Sequence, residues 1–575
     1  MNFKKGLLYV SVISAATLFI ACGDNDSNEQ TQNSQDIIQE TQIELKSLPE
    51  YSERMYRHKT TSNFDIGSSQ SMVNYEATIT SMCYTKHEQI HNPCYVCHQN
   101  EKYDGRANRM GDGDLQNEYA FSDLGMTNQW TNLFVDRREK IANISDAEID
   151  TYVNQENYSQ LKTLLEENDF AGYIPDLKDY HLAAEAFYAD GVAKDGSGWV
   201  AFNYKPLPST FWPVNGSTDD VLIRLAKKFR QAQDGNLSTT VYKFNLAIVE
   251  AAIKNLQSIS VDNLDENTIQ QDLNRDGVLS KVNLIYRPSH YVGMASEIPV
   301  EPFLYPQYTE FLHSVRYIGA KANGEIYNAP RMKELRYMIK AQSYEDASRS
   351  MTKENLAILY ELENLEKSQG WLPSYTSLGE KGINNKYGWW IQGFIEDASG
   401  ALRPQSFEET FFCMGCHTTL GTTIDQVFSF ARKVDGASGW GYIDLRKMLD
   451  APNVGENEGE ILTYFKRVGG GNEFRITNDV NEKFFIEGTL DEEKVKSVSS
   501  IYELITPTRE SALTMNKSYK VLVEEQDFIH GRDGNAAPVE NVYRKIEPTT
   551  PSLQQNYQYE WDIRLDWSKV QGDNK

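Results

Sequence analysis

Past its first 21 residues the chain has no run of about 18 apolar residues, so no membrane-crossing helix is expected in its body. Positive charge is in short supply, with 57 Lys and Arg against 82 Asp and Glu and a net charge of −25. A surface that acidic does not track a phosphate backbone, which excludes general nucleic-acid binding. Cysteine is scarcer still, at six in 575 residues, too few for a disulfide scaffold. Hydrophobic residues are ample, at 40% with 11% aromatic. That is enough to build cores and to exclude wholesale disorder. The length suits roughly three or four domains at about 150 residues each.

The N-terminus reads as a targeting segment. Lys4 and Lys5 precede an apolar run of sixteen residues, Gly6 to Ala21, short for a bilayer span and right for a secretory signal. It ends Leu18-Phe19-Ile20-Ala21-Cys22, which resembles a bacterial lipobox, with Phe19 departing from the usual pattern. The resemblance implies cleavage after residue 21 and acylation of Cys22. Residues 22–48 are polar and low in complexity, a flexible tether. Loss of the two lysines takes the mature charge from −25 to −27.

The remaining cysteines are not scattered. Cys94-Tyr95-Val96-Cys97-His98 and Cys413-Met414-Gly415-Cys416-His417 are both C-x-x-C-H, the attachment sequence of a c-type haem. Two thiols three positions apart reach the two vinyl groups of one porphyrin, and the adjacent histidine supplies an imidazole to the iron. A Cys₄ zinc site brings its pairs much closer together than the 319 residues between Cys94 and Cys413. A thioredoxin-like site needs one pair in a βαβ context that this sequence does not show. On these motifs and the lipobox, about fifteen residues in all, the chain resembles a bacterial di-haem c-type cytochrome lipoprotein. The resemblance implies two covalent haems c, proximal ligands His98 and His417, and redox competence.

The expected fold is mainly α with long irregular loops, with cytochrome c-like haem-binding modules in a multi-domain chain. Ser145 to Glu148 is a capping box opening a helix that reads on through Leu161, Leu164 and Leu165. Ser217 to Asp220 opens another, with Val221, Leu222, Leu225 and Phe229 at helical spacing. Residues 241–257, 331–343 and 352–368 are further expected helices. The expected division is a signal peptide at 1–21, the tether at 22–48 and an N-terminal haem domain at 49–262. A middle helical region at 263–379, a second haem domain at 380–490 and a C-terminal region at 491–575 complete it.

Asp272-Leu273-Asn274-Arg275-Asp276-Gly277 matches the opening of an EF-hand calcium loop. Asp272, Asn274, Asp276, the Val278 carbonyl and Ser280 are its candidate ligands. The loop departs at position twelve, where Asn283 stands in place of a bidentate Glu; a plain turn is the alternative. For the second axial position of the haem irons, Met82, Cys83, His87 and Met110 are candidates at the first motif. His313, Met332, Met338 and Met448 are candidates at the second. His91 is too close to Cys94 to cross the ring. Cys83 stands out as the odd thiol left once Cys22 and the motif cysteines are used; a buried inert thiol is its alternative.

These residues lead to the expectation of a lipid-anchored di-haem electron carrier on the extracytoplasmic side of a bacterial membrane, periplasm-facing or in the outer membrane. The alternative is a di-haem oxidoreductase in which one haem is catalytic and the other feeds it electrons. The negative charge favours a basic cytochrome or another cationic carrier as redox partner.

Overall fold

Residues 310–340 form a long β-hairpin. A computed structural model describes Met55 and residues 64–99, 113–208, 213–341, 375–417, 420–470 and 477–570. Cys22, the tether, Met110 and the expected helix at 352–368 lie outside the described residues. Leu48–Lys575 cluster as one unit.

The largest regular element is an eight-stranded antiparallel sheet, which overturns the expectation of a mainly α, cytochrome c-like fold. Its strands are β1 (Val200–Ala201), β2 (Thr218–Arg224), β5 (Glu310–Ala320), β6 (Ile326–Lys340), β7 (Thr376–Ser377), β8 (Ile383–Asn384), β9 (Trp389–Glu396) and β10 (Leu402–Pro404). The order is β1-β2-β5-β6-β9-β8-β7, with β10 on β9. Strands β3 (Ser258–Asp265) and β4 (Lys281–Tyr286) form a separate hairpin.

The expected helices at 217–229 and 331–343 are instead β2 and β6. Their side chains explain the misreading. Ser217 to Asp220 does not cap a helix, because its polar groups bond across the sheet. Thr218 Oγ1 donates to the Tyr317 carbonyl at 3.1 Å, and Asp220 accepts from Ser314 Oγ at 2.6 Å. On β6, the charged residues Arg331, Lys333, Glu334 and Lys340 are all buried. Arg331 pairs with Glu396 at 2.5 Å, Glu334 with Arg336 at 2.9 Å, and Lys340 with Asp425. A strand covered on both faces shows no polar/apolar alternation.

Helices cover the sheet. In α1 (Asp146–Val153), Ser145 accepts from the Glu148 N–H at 3.2 Å, as the capping box predicts. The helix ends at Asn154, and α2 (Leu161–Glu167) begins separately, so the expected continuous helix is two. Helix α3 (Thr239–Ile253) occupies the segment expected at 241–257 and packs on β3. After α4 (Phe407–Phe411), α5 (Arg509–Glu525) lies along β5. Leu513, Tyr519 and Leu522 of α5 share one core with Ile149 and Val153 of α1 and with Tyr317 and Ile395 of the sheet. Each such side chain contributes about 1.5–3 kcal/mol by burial, and Leu522→Ala would cost about 2–5 kcal/mol.

Candidate functional site

The two C-x-x-C-H segments fold alike. At the first, Asn92 Oδ1 caps the Tyr95 N–H at 3.1 Å and Pro93 opens a 3₁₀ turn, Pro93–Val96. The Cys94 carbonyl then accepts from Cys97 at 3.1 Å and His98 at 2.9 Å. At the second, Ser406 and Glu409 form a reciprocal capping box that starts α4, which tightens into the 3₁₀ turn Phe412–Gly415. The Cys413 carbonyl accepts from Cys416 at 3.1 Å and His417 at 2.9 Å. Each turn thus presents two thiols and an imidazole in the same order.

The two turns also meet through shared structure. A Cβ on Gly415 would lie 2.3 Å from the Thr78 carbonyl oxygen, so only glycine lets the second turn sit on the strand of chain leading to the first. Gln99 Nε2 donates to the Gly421 carbonyl at 2.6 Å, and Gln116 Nε2 to the His98 carbonyl at 2.5 Å. Asn385 Nδ2 holds the His417 carbonyl at 3.0 Å.

One cavity opens between them. Val96 and Cys97 reach its wall from the first segment, and Cys413, Cys416 and His417 from the second. The sheet supplies Asp219 of β2, His313 of β5 and Lys333, Glu334 and Arg336 of β6, while Arg532 and Asp533 come from the loop after α5. Glu334 bridges the arginines, at 2.9 Å to Arg336 and 3.1 Å to Arg532. Burial pushes its carboxyl up, but the two guanidiniums outweigh this and hold it at about 2. Cys83, Cys94 and Cys413 are free thiols.

His417 Nδ1 donates to the Gln426 carbonyl at 2.8 Å, which leaves the lone pair on Nε2. Burial lowers the His417 pKa to about 4, so the ring is neutral at pH 7, as a ligand must be. His313 Nε2 lies 3.3 Å from Asp219 Oδ2. Cys83 stands against the other motif, with its Sγ hydrogen-bonded to His98 and 3.5 Å from Thr80 Oγ1. Burial raises its pKa, but the bond and charge of His98 outweigh this and lower it. Burial pushes Cys94 up to about 12 and raises Cys413.

Other expected residues go elsewhere. His87 is buried and stacks on Tyr119 at 4.7 Å. Met332, Met338 and Met448 are buried but do not line the cavity, whereas Met82 does. In the 272–280 loop, Asp272 accepts from the Asp276 and Gly277 N–H groups at 3.2 and 2.8 Å. Asn274 Nδ2 donates to Asp276 at 2.7 Å, and Asp276 accepts from the Val278 N–H at 2.8 Å. Among the described residues no group of three or more His, Cys, Asp or Glu is arranged to hold a metal ion; this loop offers two carboxylates and an amide. Sequence reasoning missed Asp219, Glu334, Arg336 and Arg532. No local signal marks them, because the wall is drawn from segments hundreds of residues apart.

The model of a family described as “-like lipoprotein” matches residues 68–503. An uncharacterized lipoprotein of Aquifex aeolicus (strain VF5) is 31% identical over 521 residues, spanning 80% of this chain and 86% of that relative. No solved structure matches. These likenesses correct the resemblance to di-haem c-type cytochromes, which rested on about fifteen residues where the family match spans more than four hundred. The labels cytochrome c, haem protein and electron transfer have no support from this kinship. The lipoprotein expectation agrees with it: the chain is a lipid-anchored protein of the cell envelope. It belongs to this lipoprotein family.

Proposed function

We propose that this lipoprotein holds two covalent haems, at Cys94, Cys97 and His98 and at Cys413, Cys416 and His417, and passes electrons on the extracytoplasmic side of a bacterial membrane. The observation that carries the reading is the common cavity: matched turns from both motifs bring cysteines to its wall, and the second turn adds a neutral, oriented imidazole. Haem supplies one-electron chemistry at iron. The chain's own residues attach it, set the proximal ring and surround it with charge. Arg336, Arg532 and Lys333 are the groups suited to meet propionates. Cys83, held against His98, is the second ligand proposed at the first iron.

The mature charge of −27 favours encounter with a cationic redox partner. Calcium at Asp272, Asn274, Asp276, Val278 and Ser280 belongs to the same proposal as a structural ion. A di-haem oxidoreductase is the second reading, favoured by the charged wall beside the second motif. The test is expression with an export and haem-attachment system, followed by haem counting after acid-acetone extraction. Wild type should retain two haems, and Cys97→Ala and Cys416→Ala should each lose covalent attachment at one. A protein that matures without covalent haem refutes the reading.

A further inference from the structure

We propose that His313 is the second axial ligand of the iron held by His417, closing that haem to small molecules and making it a carrier of electrons. The inference rests on the haem reading above and decides between its two forms. His313 and His417 line the same cavity. His313 is fixed in the middle of the sheet, in register with Val221 of β2 and Arg336 of β6. A ligand on such a scaffold is placed more firmly than one on a loop.

Its ring is oriented by a carboxylate on the same wall. Nε2 faces Asp219 Oδ2 at 3.3 Å, and the buried Tyr204 hydroxyl donates to that same oxygen at 2.5 Å. With Nε2 carrying the proton toward the carboxylate, Nδ1 keeps its lone pair, the carboxylate–histidine arrangement that supports metal ligands. Most competing donors are placed otherwise. Lys333 Nζ donates to the Gly216 carbonyl at 2.6 Å and to Ser217 Oγ at 3.1 Å. Met332, Met338 and Met448 do not reach the wall; Met82 does, and a His313→Ala protein that stays low-spin would point to it.

The experiment is ferric absorption and EPR spectroscopy of full-length wild type, His313→Ala and His313→Met, each with its haem count from the pyridine haemochrome. Wild type should hold two haems, with the second low-spin and unreactive toward cyanide. His313→Ala should convert one haem to high spin and let it bind cyanide, and added imidazole should restore the low-spin spectrum, which a misfolded protein would not do. His313→Met should stay low-spin with a raised midpoint potential. Two haems with the second already high-spin in wild type, or low-spin in His313→Ala without added ligand, overturn this assignment alone. Absence of the second haem from wild type overturns both it and the reading beneath it.

Discussion

Gly415→Ala should destabilise the protein although alanine is a better helix former than glycine. The added methyl would fall 2.3 Å from the Thr78 carbonyl oxygen and 3.1 Å from both Thr78 C and Thr80 Cγ2. Relief requires a shift of roughly 0.7 Å, the step from 2.3 to 3.0 Å. Neither side is free to make it. The Thr78 segment is pinned by Trp130 Nε1 on the Ile79 carbonyl at 2.6 Å and by the Cys83 N–H on the Thr80 carbonyl at 3.0 Å. The second turn is pinned by its own bonds to Cys413 and by Asn385. Overpacking of this kind costs about 1–3 kcal/mol, which in a chain this size is a fall of a few degrees in Tm. Thermal denaturation against Gly470→Ala makes the comparison, since the closest atom to a Cβ there is a side-chain oxygen of Asn481 at 3.3 Å. If the two variants melt together with wild type, the two motifs are not docked as described.

Acid should weaken the fold between about pH 4.5 and pH 2. Burial raises the Glu460 carboxyl, but Arg432 at 2.5 Å and Lys205 at 3.2 Å outweigh it and hold the pKa at about 2. A depressed carboxyl stabilises above its unfolded pKa and loses that contribution as pH falls through the folded one, here of order 3 kcal/mol. Glu460→Gln should cost about 3–5 kcal/mol at pH 7 by leaving buried cations unpaired and should flatten the acid limb of Tm against pH; an unchanged limb sinks the assignment. Calcium chelation should lower the Tm of wild type but not of Asp276→Ala, and an equal response in both would make residues 272–280 a turn only. Cys22→Ala should release the protein from membranes in fractionation, with retention in the pellet as the contrary result.

What the sequence made legible was local chemistry. The cysteine–histidine turns, the Ser145 cap and the buried face of α3 each depend on residues within a few positions of one another, and each is found where the spacing put it. The sheet was hidden for a physical reason. The segment Arg331–Lys340 looks like an amphipathic helix because its charged residues suggest a solvated face, yet Glu396, Arg532 and Asp425 arrive from distant segments to pair with them inside. Asp219 and Asp220 misled in the same way: two adjacent acids suggested a helix N-terminus, and their partners are Tyr204, His313, Tyr442 and Arg316. The cavity wall depends on those long-range pairings, so only its motif residues could be named in advance.

The central claim is that the motif thiols carry haem, and intact mass spectrometry of the exported, mature protein tests it most directly. The expected mass exceeds that of the acylated polypeptide by two haem groups, with haem-bearing peptides spanning Cys94–His98 and Cys413–His417 after proteolysis. A mass equal to the acylated polypeptide alone, with both cysteine pairs recovered as thiols or disulfides, would contradict it.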